Sequence, residues 1–177
     1  MGICLNRRRM AVQSISTPDM KAVIQRVLSA KVTIRETGDV RSINQGLVVL
    51  LGVTATDNSL DVRYMADKIV SLRIFNDSDG LMNLAFTDLA EPNMLVVSQF
   101  TLYGDTRKGR RPSFVSAAPG SIAEPIYREF VSAIEARGVA VKTGDFGADM
   151  LVEIANDGPV TLIIDSPTKA TDAPNGQ

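Results

Sequence analysis

Two stretches of this chain place polar side chains where a buried strand should be apolar. The first runs Val96-Val97-Ser98-Gln99-Phe100-Thr101-Leu102-Tyr103-Gly104. It opens as a core strand and then presents Ser98, Gln99 and Thr101 before Gly104 ends it. With a period of two, Phe100 shares a face with Ser98, and Gln99 shares one with Thr101. Read on pattern alone, the segment is equally a strand crossing from core to edge, its hydroxyls bonded to neighbours. The second stretch is Asn156-Asp157-Gly158-Pro159-Val160-Thr161. Asp157-Gly158 between alternating apolar runs signals a hairpin. Pro159 spoils it, because it donates no backbone hydrogen bond and restricts Gly158. A Gly-Pro pair there marks a tight bend with free carbonyls. Pattern alone favours a plain turn, since only about 5–6 % of X–Pro bonds in folded proteins are cis.

What the chain lacks limits the chemistry. Its 177 residues include no histidine and one cysteine, Cys4. A Ser-His-Asp triad, a Cys-His pair and a His-ligated metal are therefore excluded. One cysteine makes no internal disulfide, which fits a reducing compartment. Hydroxyls, carboxylates, Lys and Arg, backbone amides and the substrate itself remain. Net charge is −1, poor for a nucleic-acid binder as an average. Yet Arg107, Lys108, Arg110 and Arg111 crowd one short segment. A local basic loop can hold phosphates on an acidic protein, although a solvated loop reads the same way from charge alone.

The elements that must carry these residues are mostly strands. Ala22 to Val27 and Lys31 to Arg35 alternate as a strand pair, and Leu47 to Val53 is a buried strand. Asn58 to Arg73 is helical, with Val62, Met65, Ala66, Ile69 and Leu72 on one face behind an Asp57/Asn58 cap. Asn76 to Gly80 is a turn and Asn93 to Tyr103 a strand. Ile122 to Arg137 is a second helix stopped by Gly138. Its start is ambiguous: Ser121 with Glu124 makes a capping box, while Pro125 argues for a later first turn. Val139 to Lys142, Leu151 to Ala155 and Val160 to Asp165 complete the strands. Residues 1–19 read as an extension ending in a breaker cluster, 20–166 as one domain, and 167–177 as a flexible tail. At 45 % hydrophobic and 22 % charged residues the chain can bury a core. No apolar run approaches the roughly 20 residues of a membrane-spanning helix. The expected fold is a single α+β domain, a curved or barrel-like mixed sheet flanked by two main helices.

Ser98-Gln99-Phe100-Thr101-Leu102-Tyr103 and Asn156-Asp157-Gly158-Pro159-Val160-Thr161 resemble, in order and spacing, the two signature motifs of the D-aminoacyl-tRNA deacylase family. Met20-Lys21-Ala22-Val23-Ile24-Gln25-Arg26-Val27 and the segment Lys108 to Phe114 resemble that family too. The likeness spans roughly Met20 to Asp165, and the extension before Met20 departs from it.

The resemblance implies a cytoplasmic homodimer with its active site at the subunit interface. Its substrate would be the aminoacylated 3′ end of tRNA, with no cofactor and no metal. Gly158-Pro159 would be a cis dipeptide inserted into the partner's pocket, where rigid backbone excludes an L side chain but admits glycine, so that glycyl-tRNA would be hydrolysed too. Arg26 would brace that dipeptide, Met150 would line the pocket, and Phe100 would pack near the terminal adenosine. Ser98, Gln99, Phe100 and Thr101 would form the catalytic segment. Backbone N–H groups near Phe100 and Thr101 would stabilise the oxyanion. Thr101 would position rather than attack, with the ribose 2′-OH helping to activate water. Arg107, Lys108, Arg110 and Arg111 would meet tRNA phosphates. Two rivals stand beside this reading: a non-catalytic tRNA-binding dimer on the same fold, and a small esterase or peptidase needing no RNA.

Overall fold

The computed structural model describes residues 19–167. Most of the expected extension, including Arg7 to Arg9 and Cys4, and nearly all of the expected tail lie outside the described residues. The elements run β1 (Lys21–Ile34), β2 (Val40–Ile43), β3 (Gly46–Gly52), α1 (Ser59–Val70), β4 (Arg73–Asn76), β5 (Met82–Ala85), β6 (Asn93–Ser98), α2 (Gly120–Glu135), β7 (Ala140–Thr143) and β8 (Met150–Asp165). Short 3₁₀ turns occupy Phe86–Asp88 and Phe100–Tyr103.

The main sheet has the order β2-β1-β3-β6-β7, with β8 along the other side of β1. β3, β6 and β7 are parallel neighbours, and the remaining pairs are antiparallel. The central strands are apolar on both faces. Leu47, Val49, Leu51, Met94 and Val96 join the core under the helices. Val48, Leu95 and Val97 join a second core, completed by Val27, Ala30, Val32, Ile34 and Ile43. A continuous apolar run is what burial on both faces demands. The second core exists because the far half of β1 folds back over the sheet, giving a nearly closed, barrel-like form.

That folding-over corrects two expectations. The strand pair Ala22–Val27 and Lys31–Arg35 is one strand, and so are Leu151–Ala155 and Val160–Asp165. β1 and β8 pair along their whole length, with register shifts between Gln25 and Val27 and between Val27 and Ser29. These are β-bulges, which bend a strand and switch its faces without ending it. Ala22 and Ile24 accordingly point to the helices, whereas Ala30, Val32 and Ile34 point into the barrel.

The helices close the first core with Val62, Met65, Ala66 and Ile69 from α1 and Ala123, Tyr127, Phe130 and Ile134 from α2. The α1 cap is a capping box, in which Asn58 Oδ1 accepts from Leu60 N and Asp61 accepts from Asn58 N at 2.9 Å. Ser166 donates to Asp61 at 3.0 Å and ties down the end of β8. α2 starts earlier than either expectation. Pro119 O accepts from the N–H groups of Ile122 and Ala123, so Ser121 lies inside the helix and cannot cap it. Pro125 is also inside α2, near its start. The β4–β5 hairpin was not expected. Its four-residue strands are too short for a readable period; they adjoin the turn expected at Asn76 to Gly80, whose first residue, Asn76, closes β4.

Candidate functional site

The polar end of β6 is a turn. The expected strand Asn93–Tyr103 stops at Ser98, and Phe100–Tyr103 wind into a 3₁₀ turn. Gln99 N donates to Leu51 O at 2.7 Å, the last link to β3 before that strand ends at Gly52. Tyr103 Oη then lies 2.8 Å from Asp19 O and 3.1 Å from Gly52 O, pinning the turn to the domain. Burial holds the Tyr103 hydroxyl protonated, far above its usual range. Gly52 makes the close approach possible, because a Cβ there would meet the Tyr103 ring at 2.8 Å.

The winding replaces the expected alternation of faces. Phe100 and Thr101 are exposed, while Ser98 and Gln99 are half-buried. As the first two residues of the turn, Phe100 and Thr101 have no intraturn carbonyl for their N–H groups. Gln99 Nε2 donates to Thr101 Oγ1. A carboxamide is no base, so Gln99 orients this hydroxyl without activating it as a nucleophile. Phe100 packs edge-on against Phe114 with ring centroids 5.1 Å apart.

Two clefts of about 250 Å³ each meet at Ser98 and Phe100. One is mostly apolar, walled by Ala118, Ala123, Tyr127 and Phe146. The other joins Ser98, Gln99 and Phe100 to Met150. Gly144 leaves Met150 its room, since a Cβ there would lie 2.4 Å from the sulfur. Met150 thus sits beside the Ser98 turn, although far from it in sequence.

Gly158 and Pro159 line neither cleft. They lie in the β8 bulge, where Asp157, Gly158, Pro159 and Val160 stand opposite Arg26 alone. The hairpin signal at Asp157-Gly158 is corrected here, because the flanking residues pair with β1 rather than with each other. The Gly158-Pro159 peptide is cis, and Gly158 has φ +112°. Both residues are exposed. Arg26 is buried behind them. Its Nη1 donates to Ile74 O at 2.6 Å, and its Nε lies 3.0 Å from Asp157 Oδ2. That Nε makes no well-directed hydrogen bond, so the contact with Asp157 is an ion pair by distance and charge.

The basic segment forms a loop closed by the Asp105–Ser113 bridge. Arg107 grips Asp105 through two nitrogens, at 2.9 and 2.7 Å. This hydrogen bonding holds the Asp105 carboxyl well below the usual range. Arg110 and Arg111 are exposed and form no ion pair among the described residues. The described residues include no convergent trio of Cys, Asp or Glu that could hold a metal.

Sequence reasoning missed several participants. Tyr127 and Phe146 read as ordinary apolar residues, and nothing local marks them as cleft walls or Phe114 as the ring that packs on Phe100. Asp105 carried a signal, an acid two residues before an arginine.

Fold and site together define a class: a barrel-like α+β domain whose reactive possibilities rest on hydroxyl, carboxamide and backbone groups at a strand end. The comparisons narrow it. The family model described as D-Tyr-tRNA(Tyr) deacylase matches residues 23–165. A chain named D-aminoacyl-tRNA deacylase from Clostridioides difficile (strain 630) is 56 % identical over 147 residues, 83 % of this chain and 97 % of its own. One of the same name from Thermus aquaticus is 54 % identical over 151 residues, 85 % of this chain and 97 % of its own. A solved structure described as c-Myc DNA Unwinding Element Binding Protein superposes with TM-score 0.76 at 38 % identity, covering 84 % of this chain and 99 % of its own. A probable eukaryotic D-amino acid tRNA deacylase shares the fold, with TM-score 0.73 at 17 % identity over 82 % of this chain and 98 % of its own. This chain belongs to the D-Tyr-tRNA(Tyr) deacylase family.

Proposed function

We propose that this protein is a D-aminoacyl-tRNA deacylase that works as a cytoplasmic homodimer, hydrolysing the ester of wrongly charged tRNA and sparing L-aminoacyl-tRNA. The observation that carries the reading is the meeting of Ser98, Gln99, Phe100 and Met150 around one pair of clefts, in a chain of this family. No helix among the described residues is long and apolar enough to cross a membrane.

The terminal nucleoside enters beside Phe100, with the mostly apolar cleft as its seat and the aminoacyl group toward Met150. The N–H groups of Phe100 and Thr101, which have no carbonyl partner within their turn, face the developing oxyanion; one such donor is worth about 10²–10³ in rate. Thr101, held by Gln99, positions the substrate. The ribose 2′-OH takes part in activating the water. Gly158 and Pro159 come from the second subunit. Within one chain, about 20 Å of strand lies between Met150 and Asn156, where the bulge begins. Arg110 and Arg111 meet tRNA phosphates. Glycyl-tRNA is also cleaved, since glycine offers no side chain to exclude.

The test is a paired assay on D-Tyr-tRNA and L-Tyr-tRNA without added metal. Rapid release of D-Tyr with L-Tyr retained is expected. A folded protein that binds tRNA and releases neither would replace this reading with the non-catalytic binding dimer. Turnover of simple esters without RNA would replace it with the small-esterase reading.

A further inference from the structure

The four-residue bulge that carries Gly158 and Pro159 is closed at its neck by side chains outside the dipeptide. Asn156 Nδ2 donates to two carbonyls at once, Arg26 O at 2.8 Å and Val160 O at 3.1 Å. One belongs to the neighbouring strand and the other to the far end of the bulge. Thr161 Oγ1 donates to Asn156 Oδ1 at 3.4 Å, and Gln25 Nε2 donates to Thr161 Oγ1 at 3.3 Å. The donor order runs one way, from Gln25 through Thr161 and Asn156 to the backbone. It also fixes the orientation of the Asn156 amide, because two carbonyl oxygens can be served only by its NH₂.

We infer that Asn156, held by Thr161, is a positioning residue for chiral selection: its carboxamide sets the place and angle of the Gly158-Pro159 tip. This rests on the deacylase reading given above. Arg26 supports the bulge from the buried side, through Ile74 O and Asp157. Asn156 is only half-buried, and among the described residues it alone spans the neck from Arg26 O to Val160 O. A four-residue bulge opposite a single residue has lost its ladder bonds there, so its exit angle depends on such a crosslink. A tip that rejects L side chains by exclusion must be placed within a fraction of an ångström. Asn156 therefore acts on the choice between D and L rather than on ester cleavage.

Asn156→Asp keeps the shape and removes both donors, turning an anion toward two carbonyl oxygens. The experiment measures kcat/KM for D-Tyr-tRNA and L-Tyr-tRNA with this variant, with Thr161→Val and with Thr161→Ser, in the full-length protein. Asn156→Asp is expected to lower the D-to-L ratio by at least about tenfold, since an ångström of misplacement can cost about a hundredfold. Thr161→Val shifts the ratio the same way by a smaller factor, and Thr161→Ser, which keeps the hydroxyl, restores it. A merely structural role would lower both substrates alike and leave the ratio unchanged, and that result overturns the inference. Should Asn156→Asp fail to fold, the Thr161 pair decides: equal ratios for Val and Ser overturn it. A wild type that cleaves neither substrate sinks the deacylase reading and this inference with it. A discriminating wild type whose ratio survives these changes sinks only the inference.

Discussion

At Ser98 a strand stops, and at Gly158 a strand is interrupted and continues. The first region is supported from behind by apolar packing. Val96 and Val97 are buried, and Tyr103 anchors the turn to Gly52 and Asp19. The second stands on an exposed bulge held by polar contacts: Arg26 from inside, Asn156 and Thr161 at the neck. The exposed side chains of the Ser98 turn, Phe100 and Thr101, can therefore change with little loss of stability. Changes around the bulge alter its placement, because Val160 gives it one apolar hold on the core and the remaining contacts described above are polar. The contrast predicts that chemistry and selectivity fail separately under mutation.

The largest effect is expected at Arg26, which is 6 % exposed. Arg26→Ala leaves Ile74 O without its donor and Asp157 without its cation. Breaking a buried pair costs about 3–5 kcal/mol, and partial exposure of Asp157 brings the expectation to about 3 kcal/mol. A urea titration reads that loss, and the paired assay should show D/L selectivity falling with it. Arg26→Lys recovers only part, since an ammonium lacks the fork that reaches both partners. Full selectivity in a destabilised Arg26→Ala protein would break the contrast between the two regions.

Thr101→Ala tests the other side. Thr101 is exposed and its hydroxyl is bonded to Gln99, so the melting temperature should stay within a degree or two of wild type while kcat falls. A loss near tenfold, about 1.4 kcal/mol, fits positioning. The D/L ratio should hold, because the surface proposed to exclude L side chains, Gly158-Pro159, is elsewhere. A covalent acyl-Thr101 adduct, trapped and found by mass spectrometry, would instead make Thr101 the nucleophile.

The two regions also differ in how readable they are. The central strands β3 and β6 follow from continuous apolar runs and both helices from apolar periodicity. The polar residues of the Ser98 turn announce themselves by type, but their alternation suggests a strand. The 3₁₀ turn is decided by where β3 ends and by Gly52, facts about a neighbour rather than about the segment. The bulge shows the reverse. Gly158-Pro159 reads plainly as a break, yet β8 continues through it. What keeps it going is pairing with β1, about 130 residues earlier in the chain. Leu28 and Ser29 mislead in the same way on β1. Asn156 and Thr161 could be quoted as part of a motif, but their joint role depends on Arg26 O and Gln25, which only the fold brings near.

The smallest expected effect belongs to the loop beyond both regions. Four cations were expected to meet tRNA there, and the fold makes them unequal. Arg107 is already paired with Asp105, whose carboxyl that hydrogen bonding holds well below its usual range. A phosphate must displace that carboxylate to gain the Arg107 guanidinium. Arg110 and Arg111 carry no such competitor among the described residues. Replacing both with alanine should reduce the slope of log affinity against log salt by about 1.4–1.8, that is about 0.7–0.9 per lost phosphate contact. Arg107→Ala should change the slope by much less. The loss should be the same for D- and L-charged tRNA, because phosphates report neither the hand of the amino acid nor the ester. A slope that drops as much for Arg107 as for Arg110 and Arg111 would mean that tRNA breaks the Asp105 pair on binding. A slope that moves for neither would take the loop out of the tRNA interface and leave binding to the clefts alone.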